Sequence, residues 1–367
     1  MMFEFLDMYT VWPVAVVLLG VVTSVMAWKV MPYVRFAYPT ARVQALGNPF
    51  VREKELNQLL ESGSIKSFKS ILNSSRDYNV EGLTAAEVQR SLDEHFVRFV
   101  RMVQKDGPRK LQSFYDAYLQ MLDGVLVKVA LKSKILGKEV FFGSTFFPET
   151  RRILEAVGSA SLDELVSVLE DLGFDEEVIT VLKDGERGLI GVDAAVDKVF
   201  LRRIMFVKVP REAKEVRDEF VSRLVDVKNI KNVLRAKYLG YSAEDCEKFF
   251  VGEGREVAEW RFKEMVKLSS VSEVVSSLEG TFYFSFLKKE LDKYGEKKGV
   301  QPLENALDKS LLKVVENLSI KNFPLFGPLL RFIMVKEFEI RNLKTVVKGV
   351  EEGFGVERIK PLLILEE

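Results

Sequence analysis

The residue types that carry most metal and redox chemistry are nearly missing from this chain: 367 residues contain one histidine, His95, and one cysteine, Cys246. No disulfide can close within the chain, and no Cys/His quartet can hold zinc. His95 has no nucleophile at a meaningful spacing; it lies beside the Leu92–Phe96 apolar stripe and reads as a packed helix histidine. Cys246, three residues before Phe249-Phe250, reads as a small core residue in a reducing compartment. The stretch from Asp163 to Glu177 is acidic without one basic residue and could gather a cation. Its acids are interleaved with Leu165, Val168, Leu169 and Leu172, however, which is the pattern of an amphipathic helix with a solvated face. Phosphate-loop, dinucleotide-turn, zinc-protease and nucleophile-elbow motifs are all missing. Asn73-Ser74-Ser75 and Asn317-Leu318-Ser319 match the glycosylation triplet, which is irrelevant on a cytoplasmic body. No catalytic, cofactor-binding or metal-binding residue is assigned, and no cofactor or small-molecule substrate is expected. With 54 basic and 54 acidic residues there is also no global basic field to recruit nucleic acid.

The elements around these residues read as helices. Val88, Leu92, Phe96, Phe99, Val100 and Val103 trace one apolar stripe at helical spacing. Val192, Ala195, Val196, Val199 and Phe200 make a second, and Leu303, Ala306, Leu307, Leu311, Val314, Val315 and Leu318 a third. Ser64, Ser161 and Ser242 stand where helix N-caps are expected. Breaks fall at Gly107-Pro108, Phe147-Pro148, Gly185 to Gly191, and Phe323-Pro324 to Gly327-Pro328. Alternating strand patterns are scarce, so the fold class is all-α.

The N-terminus has a different character. Met8 to Trp28 is a run of 21 uncharged residues dense in Val, Leu and Met. As a helix it spans about 31 Å, the thickness of a hydrocarbon core. Trp12 and Trp28 sit near its two ends, and Pro13 lies in its first turn. Acidic Glu4 and Asp7 precede the run, while Lys29, Arg35 and Arg42 follow it. That asymmetry predicts a single-pass anchor with the body on the cytoplasmic face, and the acidic leader argues against a cleaved signal.

Beyond the anchor the chain repeats itself. VKNIKNVLRAKYLGYSAEDCEKFF (Val227 to Phe250) returns ungapped, 113 residues later, as IRNLKTVVKGVEEGFGVERIKPLL (Ile340 to Leu363). A weaker copy, DGVLVKVALKSKILG (Asp123 to Gly137), precedes it by 103 residues. One helical module used three times is the simplest account. Boundaries then fall at 1–34 for the anchor, 35–143, 144–255 and 256–367 for the modules, with no flexible linker between them. In the copied helix Val227, Ile230, Val233 and Leu234 face one way, while Lys228, Lys231, Arg235 and Lys237 lie on other faces. A repeated core helix with a solvated basic face is expected, a direct binding role for those cations being the alternative. Asn229 and its copy Asn342 are placed to hydrogen-bond a neighbouring helix or loop.

FAYPTARVQAL (Phe36 to Leu46), SSRDY (Ser74 to Tyr78), NVLRAKYLGYSAED (Asn232 to Asp245) and FPLFGPLLRFIMVKEFEIRNLKTVVKGVEEGF (Phe323 to Phe354) resemble signature segments of one family. The last includes the Lys336-Glu337, Glu339 and Arg341-Asn342-Leu343 positions. The chain resembles the C subunit of archaeal A/V-type ATP synthases, the relative of the d subunit of vacuolar ATPases, from about Phe36 to its end. The resemblance implies three helical modules in a pseudo-threefold funnel. It also implies a non-catalytic rotor part that links the membrane proteolipid ring to the D and F subunits of the central stalk and carries torque. The apolar N-terminal run departs from the soluble pattern of that family. A membrane-tethered scaffold of the same fold outside the ATPase is the alternative it leaves open.

Overall fold

The structure, a computed structural model, describes residues 8–75, 78–138, 145–185, 189–297 and 299–365. Among them there are α-helices and short 3-10 turns but no strand. In chain order the helices begin with α1 (Met8–Leu46), α2 (Glu53–Leu60), α3 (Ile65–Asn73), α4 (Ala85–Asp106), α5 (Gln112–Leu136) and α6 (Pro148–Ser159). Next come α7 (Leu162–Asp171), α8 (Glu176–Lys183), α9 (Leu189–Phe206), α10 (Arg211–Tyr238), α11 (Ala243–Glu247) and α12 (Glu259–Lys267). The chain closes with α13 (Val271–Ser277), α14 (Phe284–Lys297), α15 (Gln301–Lys321), α16 (Gly327–Glu351) and α17 (Val356–Ile359).

Three of these helices, α5, α10 and α16, are the repeated segment, and they stop for the same reason. Gly137, Gly240 and Gly353, at equivalent positions of the three copies, take left-handed φ values of 61°, 77° and 66°. The residue after each glycine donates its N–H back into the last turn: Lys138 to Ser133, Tyr241 to Ala236, Phe354 to Gly349. This is the Schellman terminator, in which glycine enters the left-handed region without the Cβ penalty. Helix starts follow local chemistry as well. The hydroxyls of Ser64, Ser161 and Ser242 each accept an N–H from the first turn, and Thr84–Glu87 and Ser161–Glu164 form reciprocal capping boxes.

The apolar stripes decide the packing. Each of α4, α5, α9, α10, α15 and α16 contacts the next in that order, and α16 contacts α4, so the six long helices close into a cycle. Val88, Leu92, Val196, Val233, Leu234, Leu307, Val315, Val346 and Val347 are all buried within it. Fully burying one such side chain is worth about 1.5–3 kcal/mol. The shorter helices fill between the long ones, and a second apolar cluster joins α5 to α6, α7, α8 and α9.

Helix α1 is a single element in two environments. From Trp12 to Arg35 its side chains are exposed or, at Pro32, half-buried; from Phe36 onward Phe36, Pro39, Thr40 and Val43 turn one buried face to α4 and α16. The helix therefore runs unbroken through residues 34 and 35, where the anchor was expected to give way to the first module. The segment from Lys29 to Phe36 is part of the same helix. Trp12–Leu46 is long and apolar enough to cross a membrane. Glu4 and Asp7, the expected boundary at Gly143, and the centre of the Gly185–Gly191 break lie outside the described residues.

Candidate partner-binding surfaces

At equivalent positions of the repeated helices stand three buried acids, Asp123, Asp226 and Glu339. Each accepts backbone N–H groups from the loop that opens the next small-helix region. Asp123 takes Phe146 N at 3.0 Å and Phe147 N at 3.2 Å, just before α6. Asp226 takes Glu256 N at 3.0 Å and Val257 N at 2.8 Å before α12, together with the Tyr283 hydroxyl at 2.8 Å. Glu339 takes Val51 N at 3.0 Å, so the last long helix holds the loop before α2, near the start of the body. The approach is close: a Cβ on Gly254 would lie 1.8 Å from the Asp226 carboxylate. Burial pushes all three carboxyls up, Asp123 to about 6 and Glu339 to about 7. These acids are hydrogen-bonded joints between a long helix and the loop that follows in space.

The basic residues of the copied helix mostly meet neighbouring helices and not the solvent expected of them, Arg235 alone of Lys228, Lys231, Arg235 and Lys237 staying exposed. Lys128, Lys231 and Lys344, one per copy, reach an aspartate on the neighbouring long helix: Asp197 at 2.6 Å, Asp308 at 2.6 Å and Asp93 at 2.7 Å. Lys228 adds a second cation to Asp197 at 3.2 Å, and Arg341 adds one to Asp308 at 2.7 Å. Arg235 is bidentate on Glu304, and Lys132 meets Asp193 at 2.6 Å. Lys237 donates to the Val266 carbonyl. The reason for the correction is geometric: once the long helices close into a cycle, a helix is flanked on two sides, and most of its polar face meets a neighbour instead of water. The acids on the facing helices were missed; their recurrence at Asp93, Asp197 and Asp308, about one repeat apart, was the available signal. Asn229 and Asn342 behave as twins. Each side-chain amide pairs with loop backbone in both directions, Asn229 with Val251 N and Gly252 O, Asn342 with Ile364 N and O, at 2.7–3.0 Å.

The residues that could have carried chemistry stay apart. His95 packs between the rings of Tyr78 and Phe99. Cys246 is buried, burial pushes its thiol up, and in the third copy its place is taken by buried Ile359. The acids between Asp163 and Glu177 spread over α7 and α8 as an exposed face, and among the described residues no group of His, Cys, Asp and Glu could hold a metal ion.

One end of the body differs from the rest. Three hairpin tips meet there: residues 107–111 between α4 and α5, 207–210 between α9 and α10, and 322–326 between α15 and α16. Helix α1 leaves the body among them. Arg42 pairs with Asp106 at the first tip, and the Thr40 hydroxyl donates to Pro324 O at the third, 2.9 Å away. Pro32, Arg35 and Phe36 share a cavity of about 340 Å³ with Pro108, Arg109 and Lys110 of the first tip and Pro210 and Glu212 of the second. Large apolar side chains project at this end: Phe206 is 77% exposed, Ile320 73% and Phe323 54%. Exposed cations stand among them, including Arg109, Lys110, Lys208 and Arg211. The sequence marked these tips only as helix breaks. Exposed apolar residues rimmed by charge on helix ends beside a lipid-length helix are the composition of a docking surface.

The sequence model of the family described as ATP synthase (C/AC39) subunit matches residues 39–362. The A-type ATP synthase C subunit of Methanothermobacter thermautotrophicus is 29% identical over 346 residues, covering 89% of this chain and 87% of that one. The protein of the same description from Methanocaldococcus jannaschii is 26% identical, covering 90% and 86%. That from Methanobrevibacter smithii is 27% identical and covers 96% and 94%. The last alignment extends into the apolar part of α1. The family model begins at residue 39, after the apolar run.

Proposed function

The chain belongs to the ATP synthase (C/AC39) subunit family, and we propose that it is the non-catalytic rotor component joining the membrane proteolipid ring to the D and F subunits of the central stalk. The observation that carries this reading is the position of α1. It emerges in contact with all three hairpin tips, as a helix at a rotation axis would. The tip end, with Phe206, Ile320 and Phe323 exposed, is the ring-facing end; the stalk seats at the other. Torque transfer needs a stiff body, and the closed cycle of helices with ion pairs across its seams supplies one without any reactive group. The three modules, 35–143, 144–255 and 256–367, repeat the same joint: a buried acid on a long helix holding the next loop.

The body lies on the cytoplasmic face, and α1 occupies the lumen of the ring. A rotor helix outside the ring would orbit in lipid and strike the stator. Inside the ring its uncharged Val/Leu surface needs no ion pair. The test uses the full chain in its assembled complex, with a cysteine placed at Leu18 or Leu19. Cross-links to the inner helices of the ring are expected, and ring and central stalk should co-purify with the tagged chain. Adducts to the stator's membrane component in an active enzyme would overturn the axial placement. A chain that purifies without ring and stalk would overturn the rotor role.

A further inference from the structure

A cluster of exposed cations stands at one end of this electrically neutral chain. Around the point where α1 leaves the body, Arg35, Arg109, Lys110, Lys208, Arg211 and Lys214 are exposed and make no ion pair among the described residues. The acids nearby are mostly engaged: Asp106 with Arg42, Glu215 with Lys321 and Asp218 with Arg217. Glu212 is the exception, with no ion pair among the described residues. Three of the cations, Arg35, Arg109 and Lys110, surround the 340 Å³ cavity walled by Pro32, Phe36, Pro108 and Pro210, with Glu212 on its rim.

The level of this notch along α1 is informative. Arg35 lies seven residues past Trp28, where the uncharged run ends, or about 10 Å further along the helix axis. For a helix whose apolar run matches the hydrocarbon core, the headgroup layer reaches about 5–7 Å past Trp28, so Pro32 at about 6 Å lies within it and Arg35 stands just outside, with a side chain long enough to reach back. Tyr33 and Tyr38, both exposed on the same stretch, are residues of the kind that favour this layer. The cavity is built against the anchor helix itself, so whatever fills it lies beside α1 just outside the hydrocarbon. The Pro32 end of the cavity borders the lipid headgroups, which favours a lipid over a loop of the ring as the occupant.

We propose that the notch formed by Arg35, Arg109 and Lys110 between α1 and the hairpin tips binds the phosphate of an anionic lipid headgroup. The prolines and Phe36 shape an apolar wall for the glycerol region, and the three cations converge on the charge. Glu212 disfavours a second anion and limits the site to one headgroup. A body clamped to the lipid that surrounds its own anchor resists tilting on that helix. The inference rests on α1 crossing the bilayer and is independent of the rotary role.

The test uses the full chain, purified alone in a neutral detergent. Short-chain phosphatidylglycerol, short-chain phosphatidylcholine and glycerol phosphate are titrated separately, and bound lipid is counted by native mass spectrometry. Each basic residue near an anionic headgroup strengthens association by roughly five-fold. Phosphatidylglycerol should therefore bind at least about ten-fold more tightly than phosphatidylcholine, and the triple variant Arg35→Gln, Arg109→Gln, Lys110→Gln should lose that preference. The three side chains make no ion pair among the described residues, so unchanged circular dichroism is expected; Glu212→Gln should strengthen binding and provides a second variant that removes no cation. Equal affinity for the two lipids, or a preference that survives the triple substitution, overturns the proposal. Glycerol phosphate binding as tightly as phosphatidylglycerol would make the site one for free phosphate esters and also overturn it. A triple variant that keeps lipid selectivity but no longer binds purified proteolipid ring would reassign the surface to the ring. Failure of the rotor reading would appear separately, as loss of co-purification with ring and stalk.

Discussion

The seam between α10 and α15 and the seam between α16 and α4 are built on copies of the same helix, yet they hold their buried charge differently. At the first, Asp308 sits between Lys231 and Arg341, and Arg235 and Glu304 add a second bidentate pair. Burial alone would push the Asp308 carboxyl up, but the two cations outweigh it and leave the group below its ordinary value. At the second, Asp93 has Lys344 alone. The place of Arg341 is taken on α5 by Val125, 56% exposed, and the place of Glu304 on α4 is taken by Gln89, which donates to the Lys344 carbonyl instead. Burial there prevails over the one ammonium, and the Asp93 carboxyl is raised. A cavity of about 570 Å³ lined by Asp93, Val125 and Lys344 opens where the missing pair would stand. The apolar side of the repeat is the same at both seams, with Leu131, Leu234 and Val347 all fully buried. What the copies share is packing; what distinguishes them is charge.

The two seams should respond very differently to losing their acids. Asp308→Asn strands two cations inside a seam, and the cost should be about 3–5 kcal/mol. Asp93→Asn should cost about 1 kcal/mol or less, because its pair is a third exposed and single. Denaturant unfolding of the detergent-solubilised chain measures both, and equal losses would erase the distinction between the seams. Leu131→Ala and Leu234→Ala should each lose about 2–5 kcal/mol, alike within the scatter of cavity-forming changes. A loss below about 0.5 kcal/mol at either site would mean that the copies are not packed alike.

Glu339 extends the contrast to pH. Its carboxyl is raised to about 7 chiefly by burial, although Lys336 beside it pulls the other way. The folded chain therefore keeps a proton there that the unfolded chain has released. Stability should fall as pH rises from about 4.5 to about 7 and be flat in this respect above that. The total is on the order of 3 kcal/mol. Glu339→Gln should remove its own share of the slope, leaving that of Asp123 and the other raised acids, while its amide oxygen still accepts the Val51 N–H. Asp308 carries the opposite sign: its contribution is present above the ordinary aspartate range and is lost as pH drops through its depressed value. A wild-type stability that rises between pH 4.5 and 7 and is unaltered by Glu339→Gln would contradict the assignment.

The smallest effect is a gain. Val125→Lys places a cation where α10 and α16 already have Lys228 and Arg341, and should add about 0.5–1 kcal/mol by meeting Asp93. In an Asp93→Asn background the gain should vanish, which a double-mutant cycle of melting temperatures would resolve. An undiminished gain there would show that Asp93 is not the acceptor.

Much of this was legible in the residues themselves. Helical periodicity is a local property, so the long stripes and the serine caps could be read without a partner. The copies at offsets of 103 and 113 residues placed equivalent positions in register, and a 21-residue uncharged run announced the helix that leaves the body. One Cys and one His set aside, from composition alone, an internal disulfide and a Cys/His zinc quartet. Local spacing also tells which face of a helix is polar, but not what that face meets. Lys231 and Asp308 are 77 residues apart, and Val51 and Glu339 are separated by 288. Their pairing exists only because six helices close into a cycle, bringing α16 back to the start of the body. Helix packing likewise decided that α1 runs unbroken past Arg35 and emerges among the three tips. Those choices are made by which apolar faces bury one another, a cooperative property of the whole chain that no single window of sequence contains.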